Sequence, residues 1–281
     1  MDWRLRCLAL HVLSHAPHGL YASLQRLAST RYFLEVTDPL LATFGYHVQN
    51  FRKVGGRALE IGAGRNLISA LLLSNAGADE VLAYDLSRIA TVDLVNRVIS
   101  QLRERIPGQW HPVTDLDEAL WREYRIRYLA PADARHIEQA SGSVDFFCST
   151  STLEHIPPHD IAAIIAEFRR TASSKALFSF IVDYHDHYCN ADRGITRINF
   201  YKYSDVAWRF LNPSNHYQNR LRHSDYERIF ADCGLVSQES RPIVQGISVD
   251  NVRLARRFRH YHAQDLMALK GFFTLRASSA P

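Results

Sequence analysis

Two glycines separated by one residue follow a short apolar run near residue 60 of this 281-residue chain. Gly62 and Gly64 come directly after residues 59–61, and glycine tolerates both a tight turn and the close approach of a ligand to the backbone. Asp85 ends the next apolar segment, where a doubly wound sheet places the acid that binds ribose hydroxyls. This spacing predicts a binding site for a cofactor that contains a nucleoside.

The residues around these glycines disfavour a dinucleotide. The NAD fingerprint has a third glycine for phosphate approach, and this chain has Leu67 at that place. The carboxylate of Glu60, just before Gly62, would repel a pyrophosphate and attract a cationic amino acid. The sequence therefore disfavours an NAD-dependent oxidoreductase and favours a cofactor with a cationic amino-acid part.

Histidines follow two of the predicted strands. His155 closes the segment 151–155, and His185 and His187 lie in the segment 183–188. Imidazole is the natural proton acceptor near neutral pH, so these three are the candidate catalytic bases, with a purely structural role as the alternative. Asp and His also bind transition ions, but the ligand-like residues of 183–187 form one continuous segment, so we expect no metal site.

A second polar run around residue 220 offers groups for a substrate. We expect Tyr184, His216, Arg220 and Arg222 to contact the acceptor molecule, since guanidinium groups pair well with phosphate or carboxylate. The alternative is that both arginines pair with local acids such as Asp225.

The elements that must position these residues alternate between strand and helix signals. Strands are predicted at 57–61, 80–84, about 128–130, 144–148 and 176–182, and helices at 66–75, 86–104 and 160–171. A helix over 224–233, with Ser224 as N-cap and Glu227 completing a capping box, precedes a strand pair at 235–240 and 271–277. This pattern predicts an α/β fold with a doubly wound, mostly parallel, seven-stranded Rossmann-like sheet.

The chain divides into a cap, a main domain and a lid. Residues 1–50 are the predicted N-terminal helical cap, with two helices in 3–30 broken at Pro17 and Gly19, and residues 51–281 are the main domain. The segment of about 183–223, inserted after the fifth strand, is dense in His, Tyr, Asn and Arg and is the predicted substrate lid. A membrane-surface or partner helix is the alternative for the cap, disfavoured because it has no cationic run.

The order of the motifs resembles the class I S-adenosylmethionine-dependent methyltransferases over about residues 55–180. It is carried by Glu60-x-Gly62-x-Gly64, Asp85, Asp133-Ala134 and the strand 144–147. The resemblance implies S-adenosylmethionine as cofactor, with Asp85 on the ribose and Asp133 on the adenine amino group. The residues it assigns to the cofactor are Glu60, Gly62, Gly64, Asp85, Asp133, Ala134 and Ser149.

We expect O-methylation of a small polar acceptor: a sugar, a glycolipid head group or a secondary metabolite. The segments 183–188, 199–203 and 215–226 resemble a group of methyltransferases found among bacterial surface-polysaccharide or secondary-metabolite genes. An N- or C-methyltransferase of the same fold, or a non-catalytic regulatory protein that binds S-adenosylmethionine, is the alternative.

Composition limits the partners. The net charge of +4 favours anionic ligands only weakly, and Arg253–His262, with four arginines on a predicted basic helix face, has no recognised RNA-binding module beside it, so no nucleic acid is expected. The four cysteines form no CxxC pair, which favours a reducing, cytoplasmic setting without disulfides. No apolar run approaches the roughly 20 residues that span a bilayer, so integral membrane association is not expected. A homodimer is left open.

Overall fold

The computed structural model describes residues 2–15 and 35–278. Its centre is a seven-stranded sheet in the order β3-β2-β1-β4-β5-β7-β6. The strands are β1 (Arg57–Ile61), β2 (Glu80–Tyr84), β3 (Ile126–Leu129), β4 (Val144–Thr150), β5 (Ala172–Asp183), β6 (Leu235–Val244) and β7 (Ala268–Ala277). Strands β1 to β5 pair in parallel, and β7 runs antiparallel between β5 and β6. The predicted fold class is confirmed.

Helices cover both faces of this sheet, because its central strands are apolar on both sides. Over the described residues they are α1 (Trp3–Ser14), α2 (Asp38–Phe51), α3 (Ile68–Asn75), α4 (Val92–Arg105), α5 (Glu118–Tyr124), α6 (Pro158–Thr171), α7 (Asp205–Leu211), α8 (His223–Asp232) and α9 (Ala263–Met267). One apolar cluster joins α2 to α5 with one face of the sheet, and a second joins α6 and α8 with the other face.

Several boundaries differ from those predicted. Helix α4 begins at Val92 rather than near 86, because the Thr91 side chain accepts a hydrogen bond from Leu94 N–H and caps the helix there. The predicted N-cap at Ser224 is wrong: α8 begins at His223, and Asp225 accepts a hydrogen bond from the backbone N–H of Arg222.

The N-terminal region does not form one separate layer. Helix α1 places Trp3 in a third apolar cluster with Tyr188 and Trp208, whereas α2 packs on the sheet, where His47 and Ser179 form a hydrogen bond of 2.8 Å. The predicted helix break at Pro17 and Gly19 lies outside the described residues. The domain boundaries therefore stay predictions.

The predicted lid 183–223 contains short 3₁₀ turns and α7, and it shares an apolar cluster with α1 and with residues near Phe258. Tyr188, Phe200, Tyr201 and Trp208 are buried there together with Phe258. The sequence analysis missed this cluster because its aromatic residues stand singly among polar ones and follow no helical or strand period.

The stretch Arg253–His262 is not the basic helix face that was predicted. Its only helical segment is the 3₁₀ turn Arg256–Phe258, in which Phe258 is fully buried. Among residues 2–15 and 35–278, no helix is long and apolar enough to cross a bilayer. All four cysteines are free thiols.

Candidate active site

The loop after β1 has the backbone that only glycine adopts easily. Gly62 and Gly64 have φ of +73° and +70°, in the left-handed region. A Cβ on Gly62 would lie 2.1 Å from the hydroxyl oxygen of Thr152, so the loop packs directly on the chain that leaves β4. Leu67 also has a positive φ of 53° and is fully buried, so the third turn position is filled without glycine.

Asp85 is fixed against this loop. One carboxylate oxygen accepts a hydrogen bond from Gly64 N–H at 2.9 Å and the other accepts one from Ser87 N–H at 3.0 Å. Burial raises the pKa of Asp85, and the two amide hydrogen bonds oppose that rise. Each oxygen keeps a lone pair for the hydroxyl groups of a ribose.

Glu60 lies beneath the loop and is 2% exposed. Among the described residues, one of its carboxylate oxygens has no hydrogen-bond partner, and the same is true of the buried hydroxyl of Ser149 at the end of β4. Burial raises the pKa of Glu60 to about 8, the hydrogen bond from Ser69 opposes the rise and the charge of Asp85 adds to it. A buried, incompletely paired carboxylate fits a cofactor that brings its own ammonium group.

Asp133 is less free than the sequence suggested. Its carboxylate accepts hydrogen bonds from the Arg135 guanidinium at 2.6 to 3.1 Å, and Arg135 also pairs with Asp160. The neighbouring Ala134 is buried, and Ala132 N–H donates to the Asp85 carbonyl at 2.8 Å. The segment 132–134 is thus hydrogen-bonded to the backbone of Asp85, while contact of Asp133 with an adenine stays a prediction.

Three of the predicted histidines meet at the carboxyl ends of β4 and β5. The ring centroid of His187 lies 4.8 Å from that of His155 and 4.7 Å from that of His185, with His216 at 6.4 Å. Burial lowers the pKa of His187, and burial likewise lowers the pKa of His216 to about 4. The sheet therefore brings the predicted bases into one cluster beside the glycine loop.

Within the cluster, His185 is paired with an acid. The Asp183 carboxylate accepts a hydrogen bond from His185 N–H at 3.1 Å and also contacts Nδ1 of the ring. A carboxylate on Nδ1 fixes the ring orientation and stabilises its protonated form. The opposite nitrogen, Nε2, lies 3.2 Å from the side-chain oxygen of Asn190.

Glu154 was not predicted. It is 3% exposed, and neither of its carboxylate oxygens has a hydrogen-bond partner among the described residues. Burial raises its pKa well above the usual range, and the charge of Asp183 adds to this, whereas the nearby backbone N–H groups of Glu154 and Asp183 and the charge of Lys270 oppose it. The signal was present in the segment 151–155, where only the histidine was considered.

Ligand-like atoms from two strands converge here. One group is Glu154, His155 and His187, and the other is Asp183, His185 and His187, and in each group the candidate ligand atoms lie within 4.8 Å of one another. The reason given for expecting no metal site, that its residues form a single segment, is wrong.

The second polar run holds both histidine segments in place. Asn219 N–H donates to the Glu154 carbonyl at 2.9 Å, and the carbonyl of Tyr217 accepts a hydrogen bond of 2.7 Å from Nδ1 of His155. The Gln218 side chain donates to the His185 carbonyl and accepts from His187 N–H, each at 3.0 Å. The run 217–219 thus positions the cluster.

The two arginines have structural partners. Arg222 is fully buried and donates to the carbonyl oxygens of Tyr184, Asp265 and Ala268. Arg220 is 4% exposed and donates to two carbonyls and to Asp205. Their guanidinium groups are occupied within the fold, which does not support the predicted binding of an anionic acceptor.

The other two predicted acceptor contacts are also buried in part. The hydroxyl of Tyr184 is hydrogen-bonded to Nδ1 of His223 at 2.9 Å, and Tyr184 is 2% exposed. The ring of His216 packs on Tyr188 at 4.7 Å, and its Nε2 is buried without a partner among the described residues. Of the predicted acceptor residues, His216 alone borders the histidine cluster.

Comparisons with known proteins agree with this geometry. Residues 59–180 match the model of a family described as "Methyltransferase domain". No curated protein matches the chain. A protein from Pyrococcus horikoshii OT3 has 13% identity and a TM-score of 0.54, over 91% of this chain and 99% of that one. A SAM-dependent methyltransferase from Methanosarcina mazei has 14% identity and a TM-score of 0.52, over 83% and 97% of the two chains.

At these identities the two structures show the fold, and the family match covers the strands and loops that carry the glycine turn, Asp85 and the end of β4. The unpaired carboxylate of Glu60 fits the ammonium group of the cofactor. Residues 59–180 are a methyltransferase domain, and S-adenosylmethionine is its cofactor.

Proposed function

We propose that this enzyme transfers the methyl group of S-adenosylmethionine to an oxygen of a small polar acceptor. The observation that carries the proposal is the Asp183–His185 pair at the carboxyl end of β5, in a cluster with His155 and His187 beside the glycine loop. Ligands of open α/β sheets bind at these strand ends.

The cofactor supplies a methyl group bonded to a sulfonium. We infer that Glu60 holds the ammonium group of its methionine part, that Asp85 holds the ribose, and that the Ser149 hydroxyl lies on the methionine side. Asp133 and Ala134 would border the adenine. At Gly64 a Cβ would meet only the Gly62 carbonyl oxygen, at 3.9 Å, so the loop leaves open space there for the cofactor.

His185 then acts as the base. The acceptor hydroxyl would replace the side-chain oxygen of Asn190 beside Nε2 of His185. As its oxygen bonds to the methyl carbon and the carbon–sulfur bond breaks, the hydroxyl proton would pass to Nε2, while Asp183 on Nδ1 stabilises the imidazolium. His187, His155 and His216 complete the polar wall of the acceptor pocket. The buried arginines contribute no anion site, so the proposal no longer requires an anionic acceptor.

The setting remains part of this proposal. Four free thiols support a reducing, cytoplasmic location, and neither a homodimer nor the surface-polysaccharide or secondary-metabolite context has further support.

The test is transfer of a ¹³C-methyl group to panels of hydroxylated and amine-containing small molecules, with the product carbon identified by NMR. An O-methyl product supports the proposal, and an N- or C-methyl product contradicts it. With the acceptor so identified, His185→Gln should lower turnover by about 10²–10⁴-fold and retain cofactor binding. The exposed His159 provides the matched control, since His159→Gln should retain full turnover. Normal turnover of His185→Gln would exclude it as the base.

A further inference from the structure

The histidine cluster contains one group that acid–base chemistry does not use. The carboxylate of Glu154 is buried at the end of β4 with both oxygens unpartnered among the described residues. A buried carboxylate in this state is costly, and proteins retain such groups where a ligand or ion supplies the missing partner. Two imidazoles, those of His155 and His187, have candidate ligand atoms within 4.8 Å of it.

We propose that Glu154, His155 and His187 bind one divalent transition-metal ion. Two imidazoles and one carboxylate are a recurrent set for Zn²⁺ and for non-haem iron, and they leave coordination positions open. Imidazole ligands exclude Mg²⁺ and Ca²⁺ as the preferred ions, because these take oxygen ligands.

The hydrogen bonds around the three residues fit this role. Nδ1 of His155 donates to the carbonyl of Tyr217, which leaves the lone pair of Nε2 for an ion. A second-shell carbonyl on the distal nitrogen is the usual partner of a metal-binding histidine. The Gln218 side chain accepts from His187 N–H, and Asn219 binds the Glu154 carbonyl, so both ligand segments are held by one run of the chain.

The alternative group of Asp183, His185 and His187 is less suited. One oxygen of the Asp183 carboxylate, Oδ1, already accepts the backbone N–H of His185 and contacts its ring, so an ion bound there would compete with the pairing to His185. Glu154 has no such partner. The proposed set therefore leaves the Asp183–His185 pair intact beside the ion.

The candidate ligand atoms lie within 4.8 Å of one another, and those near that limit must move closer when an ion binds. Bonds of about 2.0–2.2 Å in tetrahedral geometry place ligand atoms roughly 3.4 Å from one another. His155 is exposed and follows β4 in a single 3₁₀ turn, so a rotation of its side chain can provide this movement.

An ion here would present open positions next to the Asp183–His185 pair. Water or an acceptor oxygen would occupy them, and a metal-bound hydroxyl loses its proton more readily. This consequence rests on the proposed function, whereas binding of the ion does not.

The test uses the full chain without an affinity tag, stripped by a chelator and then titrated with Zn²⁺ or, as the negative control ion, with Mg²⁺. We expect elemental analysis to find one equivalent of Zn²⁺ per chain and calorimetry to record no heat when Mg²⁺ is added. Co²⁺ bound in place of Zn²⁺ should give an absorption spectrum typical of imidazole ligands. Because outer-shell partners alone are worth about 10–100-fold in affinity, Glu154→Gln and His155→Ala should each weaken Zn²⁺ binding by more than about 100-fold.

The exposed His159→Ala is the matched histidine control and should bind Zn²⁺ like the wild type. Circular dichroism checks that each variant is folded. Because His155 is exposed, His155→Ala removes a proposed ligand without changing a buried side chain. Absence of stoichiometric Zn²⁺ binding overturns the proposal. So does binding that survives Glu154→Gln and His155→Ala but is lost in Asp183→Asn, which would place the ion in the other group. Because the readout is ion binding, failure here leaves the methyl-transfer proposal to its own test.

Discussion

Glu60, which we place on the ammonium group of the cofactor, should lower the stability of the protein when the cofactor is absent. Its pKa is raised from 4.5 to about 8 because its carboxylate is buried with one oxygen unpaired. The folded state therefore retains a proton that the unfolded state releases above pH 4.5, so stability falls as pH rises from 4.5 to about 8. At pH 7 this loss amounts to about 3 kcal/mol.

Glu60→Gln removes this ionisation. The cofactor-free variant should match or fall below the wild type near pH 5, since a buried amide leaves donors unpaired at a cost of about 1–3 kcal/mol. Relative to the wild type it should gain stability steadily toward pH 8. The same variant should bind S-adenosylmethionine more weakly, because the cationic ammonium group loses its carboxylate.

The assay is urea unfolding of the cofactor-free protein at several pH values from 5 to 8. Glu80 provides the matched control, as it is a buried glutamate on β2 whose carboxylate pairs with Arg57 and Arg127. Glu80→Gln should lose stability and keep the wild-type pH dependence. A stability difference between Glu60→Gln and the wild type that does not change with pH would refute the reasoning.

Three further substitutions test the site and its support. Asp85→Ala should weaken cofactor binding by about 10-fold or more in calorimetry, because charge-assisted hydrogen bonds to the ribose are worth roughly 1.5–3 kcal/mol; unchanged affinity would place the ribose elsewhere. Gly62→Ala should abolish cofactor binding and lower the melting temperature, because its Cβ would lie 2.1 Å from the Thr152 hydroxyl in a left-handed backbone; a variant that binds normally would contradict the loop geometry. Arg222→Met should destabilise the protein by about 3 kcal/mol or more, since two buried carbonyls and one partly buried carbonyl lose their donor, whereas the exposed Arg253→Met should stay within about 0.5 kcal/mol of the wild type. Equal effects in urea unfolding would show that Arg222 is not structural.

The sheet could be predicted because its information is local. Strands β1 and β2 are short runs of mostly buried residues, and the helix α4 repeats its buried residues at helical spacing. The glycine turn and Asp85 follow from position along such strands, so the cofactor side could be derived residue by residue.

The acceptor side could not be derived in the same way. Arg222 and Tyr184 have the types of ligand-binding residues, but their burial depends on α9 and β7, which are distant in sequence. Glu154 was missed for the converse reason. Its importance lies in the absence of a partner for a buried carboxylate, and burial without a partner is a property of the packed structure alone.

The central claim is that the loop of Glu60, Gly62 and Gly64, together with Asp85, forms a site for S-adenosylmethionine. Isothermal titration calorimetry of the full chain at pH 8 tests it most directly, with S-adenosylmethionine, S-adenosylhomocysteine and NAD titrated separately. The structure predicts saturable binding of both sulfur nucleosides at one site per chain and no binding of NAD, with affinity lost in Gly62→Ala. Binding of NAD with no response to either sulfur nucleoside would contradict the account.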